Sequence, residues 1–116
     1  MKYPIDNDSA AAQDTMLNML KRDIRALLPM ETSVLLFGSR ARGNHRLDSD
    51  WDILVLLNRN GRSDWKDYDT IGYPLNMIFW KHNQDVNTII QTREEWDQKH
   101  FTPFYKNVME DAIVLI

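Results

Sequence analysis

Two apolar runs, Ser33-Val34-Leu35-Leu36-Phe37 and Trp51-Asp52-Ile53-Leu54-Val55-Leu56-Leu57, constrain the fold of this chain more than any other feature. Each is short and ends at a breaker, Gly38 in the first case and Asn58-Arg59-Asn60-Gly61 in the second, so each reads as a buried strand. The segment between them, Ser39 to Ser49, is rich in Gly, Arg and Asn without apolar periodicity. It is expected to be a turn or loop with room for a short helix. A connection of this length allows an antiparallel or a mixed arrangement of the two strands.

Around this pair the remaining elements follow from spacing. From Ser9 onward, Met16, Leu17, Leu20, Ile24, Leu27 and Leu28 recur at helical intervals, with Ser9 or Asp8 as N-cap and Pro29 behind the end. Ser63-Asp64-Trp65-Lys66-Asp67 is expected to open a helix, with Ser63 as its cap. Pro74, Leu75, Ile78 and Phe79 suit a helix with proline near its N-terminus, and a strand over Leu75 to Trp80 competes with it. Asp85 to Thr92 alternates as a third strand. Thr92 with Glu95 reads as a capping box. Pro103 opens a helix through about Met109, and Ala112 to Ile116 is an apolar tail, either an edge strand or a surface for a partner.

The chain has 116 residues and fits one domain, 1–116, of α/β class. Apolar residues at 43% and charged residues at 27% favour folding over disorder. A net charge of -3 argues against a broad nucleic-acid-binding surface, and nucleic acid is not the expected partner. With no cysteine, disulfides, zinc–thiolate centres and thiol catalysis drop out together. No run is long enough for a membrane span and no signal-peptide core is seen, so the expected location is the cytoplasm. Four Trp, four Phe and four Tyr exceed what so small a core requires, and some are expected at an interface in a homo- or hetero-oligomer.

The chemistry gathers where the two strands meet their loop. Asp50 and Asp52 lie two apart at the opening of the second strand, which puts both carboxylates on one face, opposite Trp51 and Ile53. Two like charges held together in a poorly hydrated place repel unless a cation joins them, and Mg2+ takes hard oxygen ligands together with substrate phosphates. Alone, the pair also fits two exposed aspartates beside a solvated loop. Gly38-Ser39 changes the reading, because a turn leaving a buried strand can aim backbone amides at phosphate oxygens, and Gly38 lets them approach closely. Arg40 or Arg42 could neutralise β- or γ-phosphate oxygens of a nucleoside triphosphate. His45 belongs to the same basic cluster without an assigned role. Gly38-Ser39-Arg40-Ala41-Arg42-Gly43 has P-loop glycine spacing, but Asn44 and His45 stand where Lys and Ser/Thr are required, and no Gly-x-Gly-x-x-Gly is present.

Gly38-Ser39, ten residues, then Asp50-Trp51-Asp52 resembles the Gly-Ser-x10-Asp-x-Asp motif of the minimal nucleotidyltransferase domains of the DNA polymerase β superfamily. Leu36 to Gly43, Ser49 to Val55, Thr92 to Trp96 and Phe104 to Val108 are similar to the same family. The resemblance implies a small mixed β-sheet flanked by helices, with Gly38 and Ser39 on the triphosphate and Asp50 and Asp52 on divalent metal. It further implies AMP transfer to a hydroxyl, in some relatives a tyrosine of a HEPN-domain toxin for which the transferase serves as antitoxin. One departure stands out: Asn87 aligns with a third carboxylate on the neighbouring strand, and asparagine cannot accept a proton as a base. Asp85, two residues earlier on the same face, is the alternative for that position. The competing expectation is a non-catalytic module that masks its partner.

Overall fold

The computed structural model describes residues 5–29, 31–46 and 48–116, with the backbone alone for 5–14. Helix α1 (Ile5–Leu27) is followed by strand β1 (Ser33–Phe37), the single turn α2 (Ser39–Arg42) and strand β2 (Trp51–Leu57). Next come α3 (Trp65–Asp67), a π-helical turn over Tyr68–Gly72 and α4 (Tyr73–Lys81). Strand β3 (Val86–Thr92), helices α5 (Arg93–Gln98) and α6 (Pro103–Asp111), and the short strand β4 (Ile113–Val114) complete the chain.

The four strands form one mixed sheet in the order β3-β2-β1-β4. β1 runs antiparallel to β2, with Phe37 opposite Asp52, and β4 adds antiparallel to the outer side of β1. β2 and β3 are parallel, because the chain between them crosses over through α3 and α4. Of the two arrangements the sequence left open for β1 and β2, the short connection through α2 gives the antiparallel one.

Alternation along the strands divides the interior into two layers. On one face Val34, Leu36, Trp51, Ile53, Val55 and Leu57 pack against Leu20 and Ile24 of α1 and Leu75 and Phe79 of α4. On the other face Leu35, Leu54 and Leu56 meet Trp96 of α5 and Val108 of α6. Asp52 shares this second face with Leu54, so the carboxylates lie on the side covered by α5 and α6. Among the described residues no helix is long and apolar enough to cross a membrane.

Several expectations hold, including both apolar strands, the helical choice for Tyr73–Lys81 and the helix opened by Pro103, which runs two residues past Met109 to Asp111. Thr92 and Glu95 do form a capping box, the Thr92 hydroxyl accepting from Glu95 N at 3.1 Å and Glu95 accepting from Thr92 N at 2.9 Å. Others require correction. α1 begins at Ile5 and runs through Asp8 and Ser9, so neither is its N-cap. Asp64 caps α3 in place of Ser63, because its carboxylate can accept from both Lys66 N and Asp67 N while Asp67 bonds back to Asp64 N. β3 starts at Val86, leaving Asp85 just outside it, although the Asp85 carbonyl accepts the Trp51 N–H at 2.9 Å.

Candidate active site

The turn between β1 and α2 is built on Gly38, whose φ of 77° and ψ of -158° lie in a region essentially reserved for glycine. A side chain is excluded there for a second reason. A Cβ at position 38 would collide with the Asp52 carboxylate, lying 3.2 Å from its Cγ. The Gly38 carbonyl accepts from Ala41 N and Arg42 N, both at 3.1 Å, which winds the chain into α2 at once. Ser39 is half-buried at the start of that turn, and its hydroxyl has no partner among the described residues.

Across the sheet the register sets Asn87 of β3 opposite Asp52 of β2. The Asn87 side-chain amide donates to Asp50 Oδ2 and to Asp52 Oδ1, at 3.2 Å each. One amide therefore joins the two carboxylates where their charges would otherwise repel. Asn87, not Asp85, is the β3 side chain brought to the pair. Among the described residues no group of three or more His, Cys, Asp or Glu side chains gathers at one point. The oxygens at hand are those of Asp50, Asp52 and the Asn87 amide carbonyl, which half a rotation of that amide would turn inward. This all-oxygen set fits Mg2+, which keeps several waters and completes its shell with phosphate oxygens.

The arginines divide. Arg40 is 3% exposed, its guanidinium carbon 4.2 Å from the centroid of the Trp51 ring and its Nε donating to the Ser49 carbonyl at 2.9 Å. Burial lowers its pKa, opposed by the nearby charges of Asp48 and Asp50. This packing holds the side chain against Trp51 beneath the segment that leads to Asp50. Arg42 is 47% exposed and pairs with Asp111 of α6 at 3.6 Å. Burial, with the Arg40 charge nearby, holds His45 below the ordinary imidazole range, and neither of its ring nitrogens has a hydrogen-bond partner among the described residues.

Beside Gly38 lies a cavity of about 210 Å³, lined by Phe37, Gly38, Arg42, Phe104, Asn107 and Val108. Phe104 and Asn107, which the sequence did not single out as site residues, line it one helical turn apart on α6. A larger depression of about 650 Å³ opens at the far end of β2, between Gly61-Arg62-Ser63 and α5. Its walls are engaged in structural hydrogen bonds, Gly61 N to Glu94 and Ser63 N to Glu95, and it stands away from the carboxylates.

Residues 17–115 match the family described as nucleotidyltransferase domain. The chain belongs to that family. A proposed protein adenylyltransferase of Methanocaldococcus jannaschii is 28% identical over 109 residues, which span 94% of this chain and 98% of the relative. Two solved structures share the fold. The crystal structure of a toxin–antitoxin with AMP-PNP aligns with a TM-score of 0.58 at 20% identity, covering 86% of this chain and 72% of the other. A crystal structure described as that of a proposed nucleotidyltransferase from Sulfolobus solfataricus gives a TM-score of 0.60 at 22% identity, covering 98% and 89%. The nucleotidyltransferase fold expected from the sequence is thus the fold found, a mixed sheet with helices on both faces.

Proposed function

We propose that this nucleotidyltransferase domain, spanning 1–116, transfers AMP from ATP with Mg2+ to a hydroxyl on a protein partner. The partner we favour is a HEPN-type toxin, modified on a tyrosine and thereby neutralised in the cytoplasm. The observation that carries the reading is the convergence of Asp50, Asp52 and Asn87 directly beside the glycine turn at Gly38. The toxin–antitoxin neighbour and the adenylyltransferase relative support the choice of nucleotide and of a protein acceptor.

In this reading Asp50 and Asp52 hold the cation, with Asn87 aligning them. When bound, Mg2+ supplies positive charge to the triphosphate and to the developing charge at the α-phosphorus. The Gly38-Ser39 turn anchors the departing phosphates, the Ser39 hydroxyl donating to an oxygen, and Arg42 adds countercharge. Arg40 serves indirectly, fixing the Ser49 carbonyl and so the approach to Asp50. The acceptor oxygen bonds to the α-phosphorus in line, the bond to pyrophosphate breaks, and the hydroxyl proton passes to water. Asn87 cannot take that proton, so catalysis rests on positioning and charge.

The same residue favours a second reading. With an amide where a base would stand, the domain would bind Mg-ATP and its partner without transferring AMP. Label transfer separates the two. The protein is purified with its partner and given α-labelled ATP and Mg2+, beside Asp50→Asn and Asp52→Asn. Label on the partner that disappears in both variants supports transfer. A stable, unlabelled complex overturns transfer in favour of the binding module.

A further inference from the structure

Gly38 faces two places at once. It abuts Asp52, and it forms part of the rim of the 210 Å³ cavity under α6. A ligand whose phosphates rest on the Gly38 turn therefore has this cavity within reach of its other end. The volume is below the roughly 300–1,000 Å³ of pockets that enclose a whole drug-sized ligand. It suits a flat ring system better than a complete nucleotide.

The lining has the composition such a ring needs. Phe37, Phe104 and Val108 make it mostly apolar, and Phe104 remains 40% exposed. Two neighbours fix the Phe104 ring, Phe37 at 5.6 Å and 82° and Trp96 at 5.9 Å and 89°. Its position is thus set before any ligand arrives. Asn107 lies one turn further along the same face of α6, and its side-chain amide makes no hydrogen bond among the described residues. An amide offers one donor and one acceptor side by side.

We propose that this cavity is the nucleobase pocket of the domain and that it selects adenine. Phe104 packs against the ring, and Asn107 reads its edge by accepting from N6–H and donating to N7. Guanine presents two acceptors along the corresponding edge, O6 and N7, and leaves the Asn107 carbonyl facing an oxygen. The proposal rests on the nucleotidyltransferase reading above and adds which nucleotide it takes and which residues choose it.

Binding of ATP, GTP and inorganic triphosphate, each with Mg2+, tests it on the full chain by calorimetry. Wild type is expected to bind ATP about tenfold or more tighter than inorganic triphosphate, the scale of one base stacked on one aromatic. Phe104→Ala should remove that advantage and leave triphosphate affinity unchanged. Phe104→Tyr should keep the advantage. Asn107→Ala, at an exposed position that should not endanger folding, is expected to erase the preference for ATP over GTP. Equal affinity of wild type for ATP and triphosphate overturns the pocket while leaving the phosphate site standing. So does a loss in Phe104→Ala that is the same for both ligands. Unchanged ATP affinity in both alanine variants, with reduced AMP transfer to the protein acceptor, would reassign the cavity to the acceptor side chain. Failure of every triphosphate ligand to bind would instead refute the nucleotidyltransferase reading itself.

Discussion

Asn87 stands opposite Asp52 across the parallel β2–β3 pair, and its amide reaches both Asp52 and Asp50. An aspartate at this position would replace a shared donor by a third negative charge. Asn87→Asp is therefore expected to destabilise the protein by about 1–2 kcal/mol in a chelator, through lost hydrogen bonds to charged groups and added repulsion. Millimolar Mg2+ should restore most of that loss, because a ligand that binds only the folded state stabilises it. Thermal melts with EDTA and with Mg2+ give the comparison, and equal melting shifts in the two conditions would argue against a cation between these carboxylates.

Gly38→Ala and Gly43→Ala separate a constraint of the backbone from a constraint of the site. Both residues have positive φ, 77° and 81°. A Cβ at position 43 meets nothing within 4 Å, whereas one at position 38 meets the Asp52 carboxylate. The Gly43 variant should lose about 1 kcal/mol and keep ATP binding. The Gly38 variant should lose about 2–3 kcal/mol and bind ATP poorly. Denaturant titration and calorimetry on both proteins check this, and matching losses would show that Asp52 tolerates the added methyl.

Arg40→Lys keeps the charge but gives up the planar stack on Trp51 and the Nε bond to Ser49. The expected cost is about 1–2 kcal/mol, together with weaker ATP binding as the approach to Asp50 loosens. A direct phosphate ligand would behave differently, losing affinity with almost no change in stability. Measuring stability and affinity on the same variant distinguishes the two roles.

The Arg59–Asp67 pair governs acid behaviour at the opposite end of the sheet. Arg59 donates from both terminal nitrogens, at 2.8 Å and 2.6 Å, and this holds the Asp67 carboxyl below the ordinary carboxylate range. A carboxyl whose folded pKa is depressed contributes stability above its unfolded pKa and loses it as pH falls through the folded value. Asp67→Asn should cost about 1–2 kcal/mol at pH 7, a modest figure because Arg59 is 44% exposed. The gap to wild type should close below about pH 4. A gap that stayed constant down to pH 3 would assign the loss to the Asp64 cap instead.

How much of this was legible in the sequence depends on how local each cause is. Thr92 and Glu95 could be read because a capping box is decided by two side chains three residues apart. Gly38-Ser39 and Asp50-Trp51-Asp52 could be read because turn chemistry and strand alternation operate within a few residues. The packing of Arg40 was not legible because the direction of a long side chain is set by what it packs on, and the Trp51 face became a partner only once β2 lay beneath it. Asp64 displaced Ser63 as cap because a carboxylate can take two amides where a hydroxyl usually takes one. Phe104 and Asn107 were out of reach for a related reason: α6 comes beside Gly38 only by folding across the sheet face, a relationship that no short window of sequence contains.

The parallel pairing of β2 with β3 has one further consequence. Gly38, Asp50 and Asp52 come from neighbouring stretches of chain, but Asn87 arrives only after the crossover through α3 and α4 has closed. Loop closure of that kind is a late and entropically costly event in folding. A chain halted at the β1–β2 hairpin would carry two unscreened carboxylates and no amide between them. Under the proposed function, competence to hold a triphosphate thus serves as a certificate of completed folding, issued only when the most distant strand has docked.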